Sequence, residues 1–389
     1  MAGVSAPGPE PRGLTARFTS PLHDERIAAV LGIALGVTFT VCFATGLWSH
    51  LAQHPPDWFT PPARPAGLYR VTQGAHVATG IASIPLLFAK LWVVFPKLLV
   101  WPPVTGFAHL VERIALLPLV GGSLFLVTTG LANINLWYPW DFSFPVTHYW
   151  VAWITIGALV VHVGAQAGST RRALRRSRGG ADGALAADPA ARVDRRAFLA
   201  GVFGTSGLLT LFTAGQTVRP LARLALLAPR RPDVGPQGFP VNRTARTAGV
   251  VEAARSPDFR LEVTGRVERP LSLTLAEVEA LPQHTATLPI ACVEGWSTSQ
   301  TWTGVRVRDL LRLAGAPDGA TVRVRSLQRR RAYRTSDLDP AQAQDRDTLL
   351  ALRVRGERLA LDHGYPLRLI APNRPGVMQT KWVARLEVR

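Results

Sequence analysis

Five apolar runs dominate the first 218 residues of this 389-residue chain, and each is long enough to cross a lipid bilayer. A membrane-spanning helix needs about 20 apolar residues. Charged residues are concentrated in the rest of the chain, which excludes both a single uniform soluble domain and a disordered chain. We predict a four-helix membrane bundle with a fifth, anchoring helix, followed by an α+β domain. The five runs lie at roughly 27–48, 71–95, 114–134, 146–167 and 197–218.

The distribution of basic residues predicts the orientation in the membrane. The chain carries a formal net charge of +18, but the arginines that lie beside the apolar runs indicate topology and not a nucleic-acid partner. The segment 168–196 is rich in arginine, whereas 135–145 has no basic residue and contains aromatic side chains that include Trp137, Tyr138 and Trp140. Because cytoplasmic loops carry the excess of Lys and Arg, we expect a multi-pass membrane protein with a cytoplasmic N-terminus and an extracytoplasmic C-terminal domain.

Composition changes along the chain predict the domain limits. Five prolines between 219 and 250 indicate a linker, and short alternating apolar runs begin at Phe259. The predicted segments are a cytoplasmic tail at 1–26, the four-helix bundle at 27–170, an Arg-rich loop at 171–196, the fifth helix at 197–218, the linker at 219–250 and the α+β domain at 251–389.

Four histidines lie within or at the ends of the membrane runs, where a histidine is costly and often functional. His148 and His162 are 14 residues apart, so they share a helix face and differ in depth by about 21 Å. His76 enters the bilayer from the same side as His148, and His109 from the same side as His162. The spacing predicts two haem levels, an outer one with His76 and His148 and an inner one with His109 and His162. Interfacial or hydrogen-bonding histidines remain the alternative interpretation.

This arrangement resembles the di-haem cytochrome b type of membrane subunit, over residues 25–170. The resemblance implies haem b irons held by paired histidines on neighbouring helices. It also implies electron transfer across the bilayer, with the quinone pool or another electron carrier as the partner.

A pair of arginines precedes the fifth run. Arg195 and Arg196 stand in the sequence Asp-Arg-Arg-Ala-Phe-Leu at 194–199, which resembles a twin-arginine export signal placed inside the chain. The resemblance implies that the export machinery moves a folded, cofactor-loaded domain across the membrane. An ordinary basic flank of a membrane helix is the alternative.

The two cysteines, Cys42 and Cys292, exclude a disulfide scaffold and a Cys-rich metal site. A lone cysteine such as Cys292 is often a small buried core residue. Here, however, the sequence at 288–305 resembles that of the sulfite oxidase family of molybdopterin enzymes. In that family a single cysteine thiolate binds the molybdenum, so the resemblance implies that Cys292 is the metal ligand.

Further segments resemble the same family in the same order along the chain. They are the sequences around Tyr333, at 347–359, at 363–368 and at 380–383. The resemblance implies that Tyr333 hydrogen-bonds the transferred oxygen and that Arg368 and Lys381 contact the terminal phosphate of the pterin. It also places His363 at the cofactor, and Arg243 with its neighbour Asn242.

Two departures from the family pattern leave the substrate open. Sulfite oxidases have basic residues soon after the cysteine, whereas this chain has Glu-Gly-Trp at 294–296. The chain also has no room after the matched region for their immunoglobulin-like domain. Both points indicate the bacterial periplasmic branch, which includes a methionine sulfoxide reductase. Four arginines near Tyr333 offer an anion site nonetheless: Arg329, Arg330, Arg331 and Arg334.

The sequence therefore predicts a membrane-anchored molybdopterin-dependent oxidoreductase that transfers an oxygen atom to or from a small oxo-substrate. Haem b would link this reaction to the quinone pool, in either direction of electron flow. The alternative is a non-enzymatic haem b electron conduit whose exported domain is a binding module.

Overall fold

A computed structural model describes residues 18, 20–98, 106–176, 189–214, 217–329 and 332–389. Contacts between residues divide the chain into two units. One contains Met1–Phe43 and Ala78–Leu211, and the other contains Ala44–Val77 and Phe212–Arg389. The first two long helices therefore contribute to both units.

Five long helices confirm the five predicted apolar spans. Each is long and apolar enough to cross a membrane, and each begins before its apolar run because polar residues continue the helix there. The fifth helix ends at Ala214, earlier than the predicted residue 218. The helices are α1 (Glu25–Gln53), α2 (Leu68–Leu98), α3 (Phe107–Ile134), α4 (Phe144–Arg176) and α5 (Pro189–Ala214).

Small residues bring the helices of the first unit close together. A Cβ atom on Gly122 of α3 would lie 2.1 Å from Oγ1 of Thr155 on α4, so only glycine allows this approach. Ser206 of α5 donates a hydrogen bond of 2.6 Å to the carbonyl of Ala82 on α2. Inside a bilayer such helix-to-helix contacts replace the hydrophobic effect as the packing force.

The second unit contains two β-sheets with short helices, which confirms the predicted α+β class. One sheet has the strand order β2-β1-β10-β5-β6, and the other has β3-β4-β7-β8 with β9 paired to β7. The strands are β1 (Arg260–Gly265), β2 (Leu271–Thr274), β3 (His284–Ala291), β4 (Ser297–Arg306), β5 (Val322–Ser326), β6 (Thr335–Leu338), β7 (Leu349–Val354), β8 (Glu357–Arg358), β9 (Arg368–Ile370) and β10 (Val383–Val388). The short α-helices are α6 (Ala245–Ala248), α7 (Val251–Arg255), α8 (Leu275–Ala280), α9 (Val307–Leu313) and α10 (Pro340–Gln344).

Two apolar clusters form the core of the sheets. The larger one gathers inward-facing residues such as Leu261, Val263 and Leu386 from the first sheet. The smaller one is built around Trp302 and Phe239, and it also contains Cys292. The candidate site thus lies at the edge of a rigid, buried layer.

Candidate active site around Cys292

Cys292 is the first residue after β3, in the five-residue loop that joins β3 to β4. Its N–H donates to the Trp296 carbonyl at 2.9 Å, and Gly295 N–H donates to the Cys292 carbonyl at 3.1 Å, so the loop is closed on itself. Gly295 has a φ of +88°, a left-handed conformation that favours glycine. These constraints fix the thiol at the end of a buried strand.

The Cys292 thiol is buried, and burial outweighs the effect of the nearby Arg230 on its ionisation. Burial raises its pKa well above the usual range, and the neighbouring Glu294 raises that pKa further. The Glu294 carboxylate is held by Arg230 Nε at 2.9 Å and by Trp296 Nε1 at 3.1 Å. The thiol is therefore protonated at neutral pH, and a metal ion that binds it must displace that proton.

Four of the sequence-predicted residues line one pocket. Gly364 has a φ of +116° and lies between the side chains of Arg368 and Lys381. A Cβ atom added to Gly364 would be 3.1 Å from the Cβ of Arg368 and 3.2 Å from the Cβ of Lys381. The positive φ and the close approach together require glycine, and they bring the two cations to one side of the pocket. The lining residues are Cys292, His363, Arg368 and Lys381, with Pro240, Asn242, Ile290, Trp296 and Gly376.

The two cations are buried without a carboxylate partner among the described residues. Arg368 Nη1 donates to the His363 carbonyl at 3.1 Å, and its buried Nε has no hydrogen-bond partner in that part of the chain. Lys381 Nζ donates to the carbonyls of Arg243 at 2.5 Å and Asp362 at 2.9 Å.

Burial lowers the pKa of the Arg368 guanidinium to about 9. Burial and the nearby Arg368 also lower the pKa of Lys381, and the nearby Asp362 opposes this shift only in part. A buried cation pair of this kind is costly unless an anion neutralises it. The Arg fork and the Lys point charge together fit a phosphate group.

His363 is neutral in this pocket. Burial and the nearby Arg368 lower its pKa to about 4. Its Nε2 lies 2.7 Å from the Pro236 carbonyl, which can only accept, so Nε2 carries the hydrogen and Nδ1 the lone pair. The ring stacks on Phe239, with 3.6 Å between ring centroids and 13° between the planes. The segment predicted as a linker therefore supplies part of the wall that holds His363.

Asn242 lines the pocket, but the Arg243 side chain is not among its lining residues. Arg243 takes part through its backbone, because its carbonyl accepts the hydrogen bond from Lys381. Its Nη2 donates to the Thr247 carbonyl at 3.4 Å.

Tyr333 lies outside the lining of this pocket, in the 3-10 turn Ala332–Arg334. Its side chain is 39% exposed, and its hydroxyl donates to Gln53 Oε1 at 3.3 Å. Burial and the nearby Cys292 raise its pKa. Within the predicted anion site, Arg334 Nη1 donates to the Arg329 carbonyl at 3.2 Å. Arg330 and Arg331 lie outside the described residues.

The sequence analysis missed the contribution of α2 to this unit. Tyr69 is almost completely buried, and its N–H donates to Asn373 Oδ1 at 2.7 Å. Gln73 Nε2 lies 3.5 Å from the Val293 carbonyl. The Val77 side chain lies against Gly295: a Cβ atom added to Gly295 would be 3.2 Å from Cγ1 of Val77. The start of α2 thus contacts the Cys292 loop, and no local signal in an apolar run indicates such a contact.

The membrane histidines lie in different surroundings. His148 Nδ1 is 2.9 Å from Thr129 Oγ1, while the buried His162 Nδ1 has no hydrogen-bond partner in the described part of the chain. Arg113 Nε donates to His109 Nε2 at 3.4 Å, so iron binding through that nitrogen would require Arg113 to turn away. His76 lies against α1, where a Cβ atom on Gly46 would be 2.8 Å from its Cε1. The haem pairing stays a prediction.

Comparison with known proteins identifies the C-terminal part. The family described as "Oxidoreductase molybdopterin binding domain" matches residues 248–389. These residues are a molybdopterin-binding oxidoreductase domain. The predicted sulfite oxidase-like domain and the predicted oxidoreductase class are thereby confirmed, and the binding-module alternative is not supported.

Three relatives show how far this similarity extends. Subunit YedZ1 of Azospira oryzae, named for a protein-methionine-sulfoxide reductase, is 36% identical over 139 residues, which are 36% of this chain and 52% of the relative. Mitochondrial sulfite oxidase of Drosophila melanogaster is 31% identical over 34% of this chain and 27% of its own length. The uncharacterized oxidoreductase YuiH of Bacillus subtilis is 32% identical over 33% of this chain and 64% of its own length. The chain therefore spans about a quarter to two thirds of these relatives.

Proposed function

We propose that this protein is a membrane-anchored, molybdopterin-dependent oxidoreductase that transfers an oxygen atom to or from a small substrate outside the membrane. The observation that carries the proposal is the Cys292 pocket, in which one cavity is lined by a buried thiol and by two buried cations that have no carboxylate partner among the described residues. This donor set fits a metal–pterin cofactor that ends in a phosphate.

Each pocket residue has a chemical role in this proposal. Cys292 Sγ would ligate the metal after losing its proton, and Arg368 and Lys381 would neutralise the phosphate. Neutral His363 would offer the Nδ1 lone pair as a hydrogen-bond acceptor to a cofactor N–H. Tyr333, which is not among the lining residues of this pocket, would orient the substrate oxygen with its hydroxyl. The bound molybdenum cofactor would supply the two-electron exchange of the oxygen atom.

The remaining metal ligands would come from the cofactor. Within the described residues there is no group of three or more His, Cys, Asp or Glu side chains that could hold a metal ion. A single thiolate ligand is consistent with a metal that arrives already coordinated by an organic cofactor.

The proposal extends to electron exchange with the quinone pool through haem b in the membrane unit. His148, oriented by Thr129, and His162, with its buried Nδ1 lacking a partner in the described residues, are the side chains that best fit iron ligation. Bound haem would supply one-electron transfer between the quinone pool and the exported domain. The basic segment before α5 supports the extracytoplasmic placement, with Arg195 and Arg196 read by the export machinery.

The substrate class follows from the relatives' names and the pocket's surroundings. YedZ1 is named for a sulfoxide reductase, and sulfite oxidase for an oxidase, so an oxidised sulfur compound is the first class to test. The loop after Cys292 has Glu-Gly-Trp at 294–296, where sulfite oxidases have basic residues. We therefore propose a neutral sulfoxide ahead of sulfite.

The test is the cofactor content of the full-length protein purified from membranes of cells grown with molybdate. We expect about one molybdenum per chain, by elemental analysis, and a b-type haem spectrum in the same preparation. The reduced protein should transfer electrons to a sulfoxide faster than the oxidised protein takes electrons from sulfite. Haem without molybdenum would contradict the proposed enzyme.

A further inference from the structure

The Tyr333 hydroxyl contacts a residue from the end of the first long helix. The turn Ala332–Arg334 that carries Tyr333 is a single 3-10 turn, and the side chain is partly exposed. The hydroxyl donates to Oε1 of Gln53, the last residue of α1, at 3.3 Å. Gln53 and Tyr333 belong to the same unit of the structure.

The surroundings of Gln53 determine which end of its amide faces Tyr333. Gln53 Nε2 lies 3.2 Å from the Ser49 carbonyl, which can only accept a hydrogen bond, and 3.1 Å from Ser49 Oγ. The amide nitrogen must therefore face Ser49, and the amide oxygen must face Tyr333. Because an amide oxygen only accepts, the phenol uses its single hydrogen in this contact.

A buried network holds Gln53 in this orientation. Ser49 is buried, and its Oγ lies 3.0 Å from Tyr69 Oη and 3.1 Å from Gln73 Oε1. Tyr69 is itself tied to Asn373 by its N–H. The acceptor that faces Tyr333 is thus fixed by side chains of α1 and α2, and these are anchored on the loop next to β9.

We propose that Gln53 is a positioning residue. Its amide oxygen accepts the hydrogen bond of the Tyr333 hydroxyl until an oxygen of the substrate replaces it as the acceptor. The ends of the membrane helices α1 and α2 thereby complete the substrate side of the exported domain. A substrate that presents a strong neutral acceptor, such as a sulfoxide oxygen, competes best with the Gln53 amide. This inference rests on the proposed role of Tyr333 in the reaction.

The test measures the Tyr333 hydroxyl directly, apart from turnover. The full-length protein is made with 3-fluorotyrosine at position 333, and its phenol is titrated by fluorine NMR. Gln53→Met removes the acceptor at similar size, so we expect the pKa of Tyr333 to fall by roughly half to one pH unit, since an acceptor stabilises the neutral phenol. Gln53→Glu keeps an acceptor and adds negative charge, so the pKa should rise. Gln283→Met is the same change at a glutamine whose amide donates to carbonyls at the end of α8, and it should leave the Tyr333 pKa unchanged.

Turnover of a sulfoxide by the unlabelled variants completes the test. We expect Gln53→Met to lower kcat severalfold and Gln53→Glu to retain more of it, because a carboxylate oxygen still accepts the hydrogen bond from Tyr333. The inference is overturned if the pKa of Tyr333 is the same in the wild type, in Gln53→Met and in Gln53→Glu. Shifted pKa values with unchanged kcat also overturn it, provided that Tyr333→Phe is inactive. If Tyr333→Phe is fully active, the proposed role of Tyr333 fails, and the positioning role fails with it.

Discussion

At the scale of single residues, the pocket combines groups that are each unfavourable in the folded chain alone. Arg368 and Lys381 are buried cations, and Cys292 is a buried thiol kept protonated by its surroundings. Removing a charge from water is costly unless a partner of opposite sign is buried with it. In the proposed function a bound anion and metal offset this cost, so we expect the cofactor-free fold to be less stable than the loaded one.

The burial of His363 should make the free energy of unfolding depend on pH. Its folded pKa is about 4, against 6.5 for an unperturbed histidine. Between these values the unfolded chain binds a proton that the folded chain does not, so stability rises with pH and is lost as pH falls from 6.5 towards 4. The contribution is on the order of 3 kcal/mol at most.

We therefore expect His363→Gln to flatten the dependence of the unfolding midpoint on pH between 6.5 and 4. The measurement is thermal unfolding of the cofactor-free full-length protein at a series of pH values. An unchanged slope in His363→Gln would contradict the neutral, buried histidine described above.

At the scale of elements, the turn between β3 and β4 positions the thiol, and the start of α2 contacts that turn. Gly295 combines a left-handed φ with the Val77 side chain close to where a Cβ atom would lie. Gly319 has a similar φ of +74°, but nothing lies within 4 Å of its Cβ position. An alanine at Gly319 would therefore strain only the backbone, whereas an alanine at Gly295 would strain the backbone and also press against Val77 of α2.

Substituting each glycine by alanine tests this contact. Gly319→Ala should cost about 1–2 kcal/mol of unfolding free energy, because only the left-handed conformation is strained. Gly295→Ala should cost more, since the added methyl group also displaces Val77. Denaturant unfolding of the two full-length variants provides the comparison. Equal losses would show that α2 does not restrain the Cys292 loop.

The sequence was sufficient for some elements and not for others, for physical reasons. Hydropathy is a local property, so the five long helices were predictable from their apolar runs. The grouping of Cys292 with Arg368 and Lys381 followed from ordered motifs. Burial of Tyr69 depends on Asn373, some 300 residues further along the chain, and no local pattern encodes it. The stacking of Phe239 on His363 was not predictable either, because the proline-rich composition of 219–250 indicated only a linker.

At the scale of the whole molecule, the chain joins a helical membrane unit to a redox domain, and α1 and α2 take part in both units. The proposed electron route needs haem in the membrane unit at two depths. His148 and His162 lie on one helix about 21 Å apart, so one haem cannot bind both. Each histidine needs a partner from another helix, for which His76 and His109 are the candidates.

Single substitutions test the two-level arrangement. His148→Ala and His76→Ala should each remove the same half of the haem signal, because losing either ligand releases the outer haem. His162→Ala should remove the other half, and His109→Ala should do so too if Arg113 releases its Nε2. The readout is haem per chain from the reduced pyridine spectrum, with His23→Ala as the control at a histidine outside the predicted set. A content of one haem per chain in the wild type would contradict the predicted arrangement of two haems at different depths in the membrane.

The most direct test of the central claim is the molybdenum content of Cys292→Ser, compared with Cys42→Ser and the wild type. All three proteins are purified full-length from membranes of cells supplied with molybdate, and molybdenum and haem are measured in each. We expect Cys42→Ser to match the wild type in both, and Cys292→Ser to lose molybdenum or its sulfoxide turnover while the haem spectrum is unchanged. Wild-type molybdenum content and turnover in Cys292→Ser would contradict the account.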